Sequence, residues 1–139
     1  MNQKLIVAWI AVFVVWMGGS FLVHGMILHS EYANLPGLMR TEADANARFQ
    51  WMIAAHAVLS AAFVWIYSRG VEDKPALPQG MRFGLAVALV SNVPIYLIHY
   101  VVQPMPGMLV FEQMAYGVVL MVVLGVVAAI LIKPASRAA

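Results

Sequence analysis

Apolar residues fall in four long stretches, each carrying one or two isolated polar side chains and each bounded by polar or Pro/Gly segments. About 20 apolar residues cross the hydrocarbon core of a bilayer. The stretches from about Leu5 to Leu28, Phe49 to Ser68, Arg82 to Gln103 and Gly107 to Ile132 all meet that length. The pattern predicts an all-α integral membrane protein, a four-helix antiparallel transmembrane bundle forming a single domain over residues 1–139. The first stretch is too long for a signal peptide and lacks a small-x-small cleavage site before a polar chain, so it is expected to stay in the membrane.

The connections differ in kind. The first, HSEYANLPGLMRTEADANAR, is long enough for a short interfacial helix, and Thr41-Glu42-Ala43-Asp44 suits its start, with a hydroxyl cap and acids in the first turn. The second, VEDKPALPQG, reads as a Pro/Gly loop without periodicity. The third, Gln103-Pro104-Met105-Pro106-Gly107, is a tight hairpin that makes the last two spans antiparallel neighbours.

Lysine and arginine set the expected orientation. Lys4, Arg69, Lys74, Arg82, Lys133 and Arg137 flank one side, and Arg40 and Arg48 the other. Both termini are therefore expected in the cytoplasm of a bacterium, with the chain in its plasma (inner) membrane. Composition agrees: 63% of residues are hydrophobic and 10% charged, against about 25% charged in soluble domains. The net charge of +2 forms no basic stripe, so nucleic-acid binding is not expected. The chain has no cysteine, which excludes thiolate metal sites, covalent haem attachment and quinone-coupled thiol chemistry.

Against this background four residues stand out: His24, His56, His99 and Glu112, one in each span. Ionisable groups inside a membrane are costly and point to function by default. At about 1.5 Å per residue, all four lie roughly 5–10 Å inside the same end of the bundle. Helical spacing adds neighbours. Asn92, Tyr96, His99 and Gln103 make one stripe on the third span, and Pro94 within it frees a carbonyl near Val90. Ser20 shares a face with His24 and Ser60 with His56, while Tyr116 follows Glu112 at i+4, placed to donate to its carboxylate. Gly18, Gly19, Ala57, Ala61, Gly117 and Gly125 suit close helix approach.

Several readings of the cluster stand open. It is a polar layer that fixes helix register, each bond contributing about 0.6 kcal/mol. Alternatively His24, His56, His99 and Glu112 are a metal shell for zinc, copper or iron, or two of the histidines hold haem b. A proton-linked pocket for transport or ligand binding is a further reading, because burial raises a glutamate and lowers a histidine toward neutrality. Small multidrug exporters match in length and span number but carry their carboxylate in the first span, and this chain has none there.

The runs HGMILHSEYANLPGLMR, RFQWMIAAHA, VWIYSRGVEDKP and QGMRFGLAV resemble a group of small bacterial four-span membrane proteins that share a domain of unknown function. The resemblance covers most of the chain, through the PMPG hairpin into the fourth span. It implies location and architecture but no chemistry, and it assigns no site residues. The expected function is ligand or ion binding, not catalysis, in an outward-open polar pocket lined by His24, His56, Asn92, Tyr96, His99, Gln103, Glu112 and Tyr116. The alternatives are a metal or haem redox protein and a structural subunit of a larger complex. Membrane lipids, and a homo-oligomeric or complex partner, are the expected company.

Overall fold

The computed structural model describes residues 3–132. The expectations placed on Lys133 and Arg137 lie outside them. The described residues form helices joined by loops, with no strand among them. Four helical stretches are long and apolar enough to cross a membrane: Gln3–Ile27, Phe49–Gly70, Ala76–Val102 and Gly107–Leu131. The first consists of helix α1 (Gln3–Ser20) and a π-helical segment (Phe21–Ile27). The second is α4 (Phe49–Gly70). The third consists of α5 (Ala76–Val87), a π-helical segment (Ala88–Asn92) and α6 (Val93–Val102). The fourth is α7 (Gly107–Leu131).

Two short helices, α2 (His29–Ala33) and α3 (Glu42–Asn46), occupy the first connection. α3 begins where the sequence predicts: Thr41 is its N-cap and its hydroxyl accepts from the Asp44 amide at 3.3 Å. Arg40 donates to the Asp44 carboxylate at 2.6 Å, and Arg48 also pairs with it. Arg40 is therefore engaged within its own loop.

The third span starts six residues earlier than the pattern predicts, because Ala76–Met81 is helical although it reads as loop. Pro78 lies in its first turn. In the first turn of a helix an amide has no intrahelical acceptor, so proline costs nothing there.

Around the bundle the spans run second, first, fourth, third, with each neighbouring pair antiparallel. The third and fourth pack most closely, backbone against backbone. A methyl at Gly80 would stand 2.5 Å from the Gly125 carbonyl oxygen, and one at Gly84 would run into the Met121 carbonyl. The first and second spans are joined by Trp9, whose indole N–H donates to the Ala57 carbonyl at 2.9 Å. Gly19 receives Leu120 of the fourth span, whereas Gly18 approaches nothing.

The second and third spans are different. They meet through aromatic edges, Phe63 on Phe83 at 4.8 Å and Tyr67 on Phe83 at 5.2 Å. Those rings belong to the main core with Ala8, Val12, Trp16 and Leu124. Toward the Pro104–Pro106 hairpin the two spans part and the bundle is open on that side.

Candidate functional site

Both π-helical segments coincide with the polar positions. A π turn inserts one extra residue per turn and re-aims the side chains that follow it. In the third span its cause is Pro94, which has no N–H to donate back along the helix; the chain widens over Ala88–Asn92 and restarts as α6 with Pro94 in its first turn. The widening turns Asn92 toward the fourth span. There its amide donates to the Met114 carbonyl at 3.2 Å, in space that exists because Gly117 has no side chain.

In the first span the wide turn is closed by the Leu28 amide donating to the Val23 carbonyl at 2.8 Å. It separates Ser20 from His24, which would share a face on a regular helix. Ser20 turns to His56, with 3.1 Å between its hydroxyl and Nε2. His56 Nδ1 lies 2.9 Å from the Met52 carbonyl, which only accepts. Nδ1 therefore carries the proton and Nε2 accepts from Ser20. The ring also takes the edge of Trp16 at 6.1 Å.

His24 instead faces the first connection. Its Nδ1 lies 2.5 Å from the Tyr32 hydroxyl, and the two rings stack at 6.0 Å. Gln113 of α7 donates its amide N–H to the same hydroxyl at 3.0 Å. Tyr32 therefore accepts from Gln113, and the same hydroxyl bonds His24 Nδ1, the His24 tautomer setting the direction of that second bond. Burial pushes the Tyr32 hydroxyl above its ordinary ionisation range, an effect the Gln113 bond opposes. Leu28, Val23 and Leu109 form a small core beside this chain of bonds, with Tyr32, Leu35 and Tyr116 packed on it. Apolar packing and hydrogen bonding together hold α2 against the hairpin end of the bundle.

His99 takes part in neither network. Its ring stands edge-on to Tyr96 at 6.3 Å. Both line a cleft of about 360 Å³ between the second and third spans, together with Ser91, Asn92, Trp16 and Phe63. Ser91 is satisfied by the Val87 carbonyl at 2.7 Å. The Tyr96 hydroxyl and the His99 ring nitrogens make no hydrogen bond among the described residues, and the remaining walls are apolar.

The single polar cluster expected from depth is therefore divided in the structure. His24, His56, His99 and Glu112 do not form one ligand shell, because no three His, Asp or Glu side chains gather as a ligand group among the described residues. His56 has both nitrogens engaged and His24 has one bound to Tyr32. Glu112 is half-buried and has no hydrogen bond among the described residues. Tyr116 does not donate to it but packs on Val23, Leu28 and Leu109. Gln103 leaves the stripe because α6 ends at Val102 and its own backbone is extended.

Two contributors escaped the sequence reading, Tyr32 and Gln113. Tyr32 lies in a connection, where a contact back to the bundle has no periodic signature. Gln113 is 5% exposed, one residue beyond the more conspicuous Glu112. Its position four residues after the buried Leu109 was the available signal.

These elements define a multi-pass, all-α membrane protein whose bundle is sealed on one side and cleft on the other. Comparisons with family models, curated proteins and solved structures give no match to the chain.

Proposed function

We propose that the protein binds a small amphiphile in the cleft between its second and third spans, without catalysing its conversion. The observation that carries this reading is the placement of unpaired polar groups on an otherwise apolar wall. Tyr96 and His99 line the cleft, and no protein acceptor or donor answers their hydroxyl and ring nitrogens among the described residues. In hydrocarbon an unanswered polar group costs several kcal/mol by the general transfer argument, about 2–7 kcal/mol in order of magnitude. A ligand with an apolar body and a carbonyl or ester oxygen removes that cost. A volume of about 360 Å³ falls within the range of small-molecule sites.

In the expected orientation the cleft opens within the outer leaflet, so the ligand enters from the lipid. The Tyr32 network then acts as a fixed cap over the hairpin end, and the outward-open pocket becomes a laterally open one.

The test is photo-crosslinking in lipid nanodiscs with a long-chain monoacylglycerol bearing a diazirine, mapped by mass spectrometry. The reading predicts labelling concentrated in residues 59–66 and 87–99, falling several-fold in a Tyr96→Phe/His99→Ala double variant. Equal labelling of outward residues such as Val101 and Val119 would contradict it.

A further inference from the structure

A second cavity, of about 420 Å³, lies at the opposite end of the same pair of spans, beneath the connection that joins them. Its wall is unlike that of the cleft. Tyr67 of α4, Gln79, Arg82 and Phe83 of α5, and Glu72 and Lys74 of the connection line it. Gln79 shapes the site by folding the connection down: its side-chain oxygen accepts from the Glu72 amide at 2.7 Å and its amide donates to the Glu72 carbonyl at 3.3 Å.

Two features of this cavity are unused by the fold. Tyr67 is 3% exposed, and its hydroxyl is enclosed with no hydrogen-bond partner among the described residues. A buried hydroxyl without a partner needs an explanation. The Arg82 guanidinium forms no ion pair among the described residues; its charge reaches Glu72 only through space. Glu72 is already matched by Lys74, which hydrogen-bonds it and holds its carboxyl below the usual range. The three charged groups therefore sum to one net positive charge, carried by Arg82.

Arg82 lies about 9 Å along the helix from Ala76, and its long side chain reaches back to line the cavity with Glu72 and Lys74. In a span that crosses the bilayer from about Ala76, this end of the bundle would face the lipid headgroups. A guanidinium presents paired N–H donors that match phosphate oxygens.

We propose that this cavity binds a phosphate-type anion, held by Arg82 and given a further hydrogen bond by the Tyr67 hydroxyl. The chemistry is shared by an anionic phospholipid headgroup and by free phosphate. It stands apart from the amphiphile cleft, with which it shares no polar lining group.

The experiment uses the full chain in detergent, followed by native mass spectrometry and thermal unfolding. Three probes are added separately: phosphatidylglycerol, phosphatidylcholine and inorganic phosphate. Wild type is expected to retain phosphatidylglycerol over phosphatidylcholine, and Arg82→Gln to weaken that retention about fivefold, the value of one interfacial cation. Tyr67→Phe keeps the ring against Phe83 and is expected to weaken it by a smaller factor. Arg69→Gln serves as the control, because that guanidinium lies over the Trp65 ring at 5.6 Å and does not line the cavity. Stabilisation by inorganic phosphate, lost in Arg82→Gln, would identify a free anion as ligand; retention of phosphatidylglycerol alone would identify a headgroup. The proposal is overturned if neither probe distinguishes wild type from Arg82→Gln, or if Arg69→Gln weakens binding equally.

Discussion

The two helix pairs that include the third span are built on opposite principles. Against the fourth span it presents Gly80 and Gly84 and lets backbone meet backbone. Against the second it presents Phe83, which touches Phe63 and Tyr67, and beyond those rings the helices separate. Lipid tails are as apolar as leucine, so a bare apolar face does not drive helices together in a bilayer; close van der Waals packing and hydrogen bonds do. Where small residues allow close packing the bundle seals. Where no glycine brings backbone to backbone, and the Pro94 π turn re-aims the polar side chains, a cleft remains.

The largest expected effect breaks the sealed pair. Gly84→Leu drives a side chain into the Met121 carbonyl, a backbone atom that cannot rotate away. It should lower stability by about 3 kcal/mol or more, read as a fall in the detergent melting temperature. The same change at Gly18, which approaches nothing, should leave that temperature nearly unmoved.

The next variant loosens the open pair. Phe83→Ala removes two ring–ring contacts, each contributing about 1 kcal/mol beyond area burial. Nitroxide distances between the second and third spans should broaden while those between the third and fourth stay narrow. A uniform broadening of both would mean that the pairs are not independent.

A smaller effect concerns the cap. Tyr32→Phe keeps the ring stacked on His24 but removes the hydroxyl that links His24 to Gln113. It should cost about 1 kcal/mol and speed amide exchange in α2 before any other helix.

The smallest lies at α3. Its Asp44 carboxyl is held below the usual range, first by the Arg40 hydrogen bond and then by Arg48. A depressed folded-state pKa means stability that is present above the ordinary carboxylate range and lost as pH falls through the lower value. Amide signals of residues 42–46 should therefore persist through the ordinary range and fade only in stronger acid. Fading at the ordinary aspartate pKa would show the pairs to be absent in solution.

The sequence made the four spans legible because twenty apolar residues in a row have few other fates, and the Thr41 cap because its chemistry is local. Rotation about each helix axis was not legible. Depth placed Glu112 and its partners in one slab, but the buried face of α7 points Gln113 inward and leaves Glu112 at the side. The π turn in the first span sends Ser20 and His24 to different partners, and regular spacing has no means of announcing it. Asn92, Tyr96 and His99 line one cleft, although Asn92 precedes Pro94 and the other two follow it.

The central claim is that the cleft admits an apolar chain as deep as Trp16, which is 7% exposed yet forms part of its wall. Quenching by lipids brominated at mid-chain tests it in a variant that keeps only this tryptophan, with Trp9, Trp51 and Trp65 replaced by phenylalanine. Strong quenching of Trp16 that drops when Ala62→Phe fills the cleft is the predicted result. Trp16 fluorescence that is unquenched, or quenched equally with and without Ala62→Phe, would contradict it.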